Sequence, residues 1–167
     1  MNYQGRIGGA ASAPLYTLLF VCSGNTCRSP MAETLARAWL SKHAPEHAER
    51  LRVSSAGLAA NPDSPASEGA VEAAARQGLT LDGHRARLLT PEMARGALVI
   101  TMTRAQADYA LRLASGARVT TLAAWAGLSG GGDVNDPFMG SDVEYHACCE
   151  QIKRLIDKGF RRMLSVT

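Results

Sequence analysis

This 167-residue chain has no uninterrupted apolar run long enough to cross a bilayer, a role that takes about 18 or more residues. The stretch Ala13 to Val21 imitates the core of a signal peptide. It is short and weakly preceded by charge, and it runs straight into a loop whose loss by cleavage would destroy the best candidate site in the chain. Cysteine is scarce. Cys22, Cys27, Cys148 and Cys149 form neither a secreted disulfide framework nor a zinc spacing, so a reducing, cytoplasmic compartment is expected. Charge of one sign is also in short supply. A net charge of +3, without a basic cluster interleaved with aromatics, argues against a nucleic-acid partner. His43 and His47 are spaced by four, but no third ligand follows them, so they read as a solvated helix end and no metal is expected. There is no internal repeat and no second domain.

What is present is one dense segment, Val21-Cys-Ser-Gly-Asn-Thr-Cys-Arg-Ser-Pro30. An apolar run, Leu15–Val21, enters it as a buried strand. A helix leaves it, with Ser29 as N-cap and Pro30 at the first helical position. Met31, Leu35 and Trp39 fall on one stripe of that helix. In a tight Gly/Asn-containing loop, backbone N–H groups converge into an anion nest, and the helix start adds free donors and the positive end of its dipole. Arg28 supplies a planar cationic fork that matches two phosphate oxygens. The same field favours a thiolate at Cys22. Asn25 suits the left-handed conformation that such a loop demands. Glu33, in the first turn, reads as support for the helix dipole.

The rest of the chain alternates strand and helix. Residues 1–14, rich in Gly and Ala, read as a flexible extension before a domain spanning 15–167. Leu51–Gly57 reads as a strand and its turn, Gly96–Met102 as a strand, and Gly116–Leu122 as a segment that holds another. Helices are expected over about Ala66–Gln77, ended by Gly78, from Thr103 to about Leu113, and from Ser141 to about Leu164. Cys148 and Cys149 lie on the last helix as packing residues. The basic run His84–Arg87 reads as a solvated loop. Gly130-Gly131-Gly132, just before Asp136, reads as a hinge. This alternation predicts one doubly wound α/β domain with a four-stranded parallel sheet and helices on both faces. The Cys22 loop falls at a carboxyl strand end, where such sheets bind ligands.

Cys22-Ser-Gly-Asn-Thr-Cys-Arg-Ser-Pro-Met-Ala-Glu33 resembles the phosphate-binding loop of the low-molecular-weight protein-tyrosine phosphatases. Asp136-Pro137-Phe138 resembles their general-acid loop, and Ser54-Ser55-Ala56-Gly57 lies between the two. The resemblance implies strand order 2-1-3-4, no cofactor, phosphorylated proteins as substrates, and a monomer or weak dimer with no membrane partner. It implies Cys22 as nucleophile, Asp136 as general acid and base, and phosphate held by Ser23, Gly24, Asn25, Thr26, Cys27, Arg28 and Ser29, with Ser29 also bonding the Cys22 sulfur. Ser55 is expected to give a supporting hydrogen bond. Thr26 and Phe138 resemble the family's bacterial protein-arginine-phosphatase branch, so phosphoarginine is the expected substrate and phosphotyrosine the alternative. A Cys22–Cys27 disulfide is an expected redox switch, weighed against Cys27 as a packing residue. Arsenate reductases share the fold and a similar loop but use two further mid-chain cysteines, and Ser29–Ala147 has none.

Overall fold

The computed structural model describes residues 16–165; the N-terminal extension and Leu15 lie outside them. Four parallel strands form one sheet in the order β2-β1-β3-β4. They are β1 (Tyr16–Cys22), β2 (Leu51–Gly57), β3 (Leu98–Thr101) and β4 (Arg118–Thr121). The central strand β1 pairs Phe20 with Ser55 on one side and with Ile100 on the other. Its register ends with Cys22 opposite Gly57, so the loop begins where the sheet stops.

Because successive strand residues point to opposite faces, β1 feeds two cores. Leu18 and Phe20 pack with Met31, Leu35, Trp39, Ile152, Ile156 and Phe160. Leu19 and Val21 pack with Leu89, Ala94, Val99 and Ala110. The first face is covered by α1 (Arg28–His43), α3 (Glu68–Arg76), α6 (Leu122–Trp125) and α7 (Asp142–Leu164); α4 (Pro91–Arg95) and α5 (Arg104–Leu113) lie against the second. A short α2 (Pro45–Ala48) follows α1. Trp39 of α1 stacks on Phe160 of α7 at 4.8 Å and 15°, and Trp39 Nε1 donates to Asp157 at 2.8 Å.

Several boundaries differ from the sequence reading for identifiable reasons. The α1 helix begins at Arg28, not after Ser29, and no side chain caps it. The Ser29 hydroxyl is committed to the loop instead. Helix α3 starts at Glu68, where Ser67 caps Ala70 N, and Gly78 follows it at φ +73°. Thr103 and Ser141 cap α5 and α7 through reciprocal boxes with Gln106 and Glu144. Strands β3 and β4 are shorter than expected: Gly96 caps the end of α4 ahead of β3, and Leu122 already opens α6 after β4. The three helices of four or five residues, α2, α4 and α6, were not anticipated. They are too short to show a helical period, although Thr90-Pro91 is a cap signal for α4.

Candidate active site

The Cys22–Arg28 segment wraps around one cavity of about 240 Å³, lined by Cys22, Ser23, Gly24, Thr26, Cys27, Arg28, Ala59, Asp136 and Phe138. Of the sequence-predicted residues, Cys22, Ser23, Gly24, Thr26, Cys27, Arg28, Asp136 and Phe138 therefore meet there, whereas Asn25 and Ser29 do not line the cavity and brace the loop from behind. Cys22 is buried at the strand end, its Sγ 3.0 Å from Ser29 Oγ. The N–H groups of Gly24, Asn25, Thr26 and Cys27 donate to no protein acceptor among the described residues. An anion in the cavity would satisfy such donors.

Asn25 holds the loop in shape. It is fully buried with φ +55°, a left-handed conformation that asparagine tolerates better than most residues. Its Nδ2 donates to Ser29 Oγ at 2.9 Å and to Ser55 Oγ at 3.0 Å. Its Oδ1 accepts from the Arg87 amide at 3.0 Å, and its carbonyl lies 2.7 Å from His84 Nε2. Ser55 Oγ in turn donates to Glu33, which is ion-paired with Arg37 at 2.6 Å. Ser55 thus makes the expected supporting bond. Glu33 does not support the dipole as expected, because α1 begins at Arg28 and its first turn holds no acidic residue; it anchors this chain of hydrogen bonds instead. The His84–Arg87 run is not simply solvated: the His84 side chain and the Arg87 amide both brace Asn25. Gly57 is required by close approach, since a Cβ there would lie 2.8 Å from Ser23 O and 2.9 Å from Asn25 N.

Arg28 is buried, at 4% exposure. One Nη donates to Val134 O at 2.9 Å and the other lies 3.3 Å from Asp136 Oδ2. Its Nε is buried without a partner, which is costly unless a ligand accepts from it. Asp136 is half exposed, and its Oδ1 accepts from the Phe138 amide at 3.0 Å. Phe138 is 61% exposed at the rim. Cys27 Sγ turns towards Ser67 Oγ (3.1 Å) and Tyr145 OH (3.5 Å), and all four cysteines are free thiols. Burial, helped by the hydrogen bond with Cys27, raises the Tyr145 hydroxyl pKa. Cys148 and Cys149 are buried, as expected of packing residues. Burial pushes their thiols up to about 12 and about 11.

Gln106 is a site residue that sequence reasoning missed. Its Oε1 accepts from the Met102 and Thr103 amides, while Nε2 donates to Ser23 Oγ at 3.2 Å. Only its place in the capping box was legible. Val134 was missed too; nothing in its sequence neighbourhood marks a carbonyl that binds a distant guanidinium.

The description "low molecular weight phosphotyrosine protein phosphatase" belongs to a family model that matches residues 17–164. The chain belongs to this family. A curated protein-arginine-phosphatase of Geobacillus stearothermophilus is 35% identical over 145 residues, covering 86% of this chain and 93% of the relative. A solved structure of the YwlE arginine phosphatase, a cysteine-to-serine mutant with phosphorylated active site serine, superposes with a TM-score of 0.81. It is 32% identical and covers 90% of this chain and 96% of the other. The Erwinia amylovora tyrosine phosphatase amsI superposes at TM-score 0.78, with 28% identity over 89% and 93% of the two chains. The protein is a low-molecular-weight protein phosphatase, and phosphorylated proteins are its substrate class. Nothing in these relatives supports the arsenate reductase alternative. Among the described residues no helix is long and apolar enough to cross a membrane.

Proposed function

We propose that the protein dephosphorylates phosphoarginine side chains through a cysteinyl-phosphate on Cys22. The observation that carries this reading is the shared cavity: a sulfur 3.0 Å from a hydroxyl, a buried guanidinium with an unpartnered Nε, and a carboxylate at the rim. In the first step Cys22 Sγ attacks phosphorus as the thiolate. The P–N bond breaks, and Asp136 gives its proton to the departing guanidine nitrogen. The N–H groups from Ser23 to Arg28, with the Arg28 fork, take the three equatorial oxygens. In the second step the Asp136 carboxylate removes a proton from water, the water oxygen attacks phosphorus, and the P–S bond breaks. The sulfur leaves as a thiolate that Ser29 Oγ stabilises, and inorganic phosphate is released. The phosphorylated serine of the YwlE mutant supports a covalent intermediate at this position.

Thr26 and Phe138 both line the cavity. A small polar Thr26 leaves room beside a planar phosphoguanidine group, and Phe138 offers an apolar wall. The arginine phosphatase relatives support this assignment. The tyrosine phosphatase relatives support the alternative, phosphotyrosine, on the same catalytic residues. Parallel turnover of phosphoarginine- and phosphotyrosine-bearing proteins, with Cys22→Ser as the inactive control, decides between them. We expect phosphoarginine to be preferred, and Thr26→Ile to move the ratio towards phosphotyrosine by roughly 10–200-fold. An unchanged ratio overturns the specificity assignment.

Under oxidants, Cys22 converts to a sulfenic acid, and the Cys27 thiol then condenses with it, releasing water and forming a disulfide. Dithiothreitol restores activity to wild type but not to Cys27→Ala if this redox role is correct. Identical recovery of both refutes it. Reliance on free thiols supports a cytoplasmic location.

A further inference from the structure

A second cavity, of about 460 Å³, shares no lining residue with the Cys22 pocket. Its wall includes Ser55 and His84, the two side chains that bond Asn25 from outside the loop. Its charge is unbalanced. Four guanidiniums, on Arg37, Arg52, Arg85 and Arg87, face two carboxylates, on Glu33 and Asp82. Only Arg37 is ion-paired there, with Glu33. Arg85 and Arg87 donate to the neutral carbonyls of His84 and Ser55. The Arg52 guanidinium makes no hydrogen bond or ion pair among the described residues.

Three guanidiniums without a carboxylate partner, gathered around one concavity, repel one another. An anion between them removes that repulsion and accepts from several planar forks at once. Phosphoryl oxygens fit this donor geometry. The volume lies in the range of small-molecule pockets, about 300–1,000 Å³, and is larger than one phosphoryl group needs. We propose that this cavity is a second anion site that binds a small free ligand carrying two or more phosphoryl groups. Its occupant lies against the residues that brace Asn25, yet outside the reaction cavity.

The test uses inorganic pyrophosphate as probe on wild-type protein whose Cys22 loop is already saturated with tungstate. Calorimetry is expected to show one further equivalent bound. Backbone amide resonances of Arg52, Ser54 and Asp82 to Arg85 are expected to shift. Both Arg52 and Arg85 are exposed, so the double variant Arg52→Ala/Arg85→Ala keeps the fold and its thermal midpoint. It is expected to weaken pyrophosphate by at least about tenfold, the loss of one or two charge-assisted hydrogen bonds, while tungstate inhibition of turnover stays unchanged. Raising salt from about 50 to about 500 mM is expected to weaken the same site, because exposed charges are screened. No binding to the tungstate-loaded protein, or undiminished binding in the double variant, overturns the proposal.

Discussion

The two sides of the reaction cavity are built on opposite principles. At the rear, Asn25 is fully buried and bonded to Ser29, Ser55, His84 and Arg87. Ser55 passes the chain on to Glu33 and Arg37. At the front, Asp136 is half exposed, Phe138 and Met139 more so, and Asp136 is held by Arg28 and one local amide. A buried polar network that satisfies its members is rigid and expensive to break. The front pair joins a buried guanidinium to a carboxylate that is half in water, and solvent screening weakens such a pair. The proposed nucleophile and oxyanion donors need a fixed geometry before substrate arrives, which matches the rear. In the proposed mechanism Asp136, as the acid, exchanges a contact with Arg28 for one with the leaving group, which matches the front.

The sharpest way to break this comparison is at the front. Asp136→Asn removes the proposed proton donor and keeps the side-chain shape, so kcat is expected to fall by about 10²–10⁴. The thermal midpoint should move little, since the side chain is half in water and an amide oxygen can still accept from Arg28. A drop in midpoint comparable with that of a core mutation would show that the front is structural after all. At the rear the expectation is reversed. Asn25→Ala leaves buried donors and acceptors unpaired at a cost of about 1–3 kcal/mol, and it places alanine at φ +55°. Stability and activity should therefore fall together, measured by denaturant titration and turnover on the same sample. Gly57→Ala should follow the rear pattern at a smaller scale, because its new Cβ presses on the Ser23 carbonyl. Overpacking of this kind costs typically about 1–3 kcal/mol.

The buried thiols of α7 supply a pH test. Burial raises Cys148 to about 12 and Cys149 to about 11, against an ordinary 9.0. A folded-state pKa above the unfolded one stabilises the fold fully below pH 9, and that contribution disappears as pH rises through 11 and 12. Stability should thus decline over this alkaline window, and Cys148→Ala/Cys149→Ala should flatten the decline. Alkylation near pH 7 should spare both residues. Rapid labelling of either would place it outside the packed core.

Much of this site was legible because its parts are local. The Cys22 loop, its strand and its helix are contiguous, and β2 lies where a strand was expected, although it stays extended through the Ser/Gly segment that reads as a turn. The Ser67, Thr103 and Ser141 caps are also written in short windows. The unread parts act across long separations. Nothing near His84 announces the Asn25 carbonyl, 59 residues away in sequence. Gln106 gives a cap signal that hides its second contact with Ser23. Ser29 carried a cap signal as well, but its hydroxyl is taken by Cys22 and Asn25, a buried sulfur and a buried amide that need partners.

The glycine run before the acid offers the smallest expected effect and the finest distinction. Read as sequence, Gly130, Gly131 and Gly132 look like one hinge. Gly130 has φ +67°, so a side chain there is strained. A Cβ on Gly131 would lie 2.8 Å from the Cβ atoms of Ala123 and Leu128. Gly132 has open space around it and no positive φ. Downstream, Val134 is buried and pinned at both ends: its amide donates to Met102 O at 2.9 Å and its carbonyl accepts from Arg28. Motion at the glycines reaches Asp136 only if Val134 lets go. Packing and turn geometry, rather than hinging, therefore account for Gly130 and Gly131. Gly131→Ala should cost about 1 kcal/mol or more through the clash. Gly132→Ala should stabilise slightly, by up to about 1 kcal/mol through loss of unfolded-state freedom, with kcat unchanged. A marked fall in kcat for Gly132→Ala at undiminished stability would restore the hinge and move the mobile boundary of the front upstream of Val134.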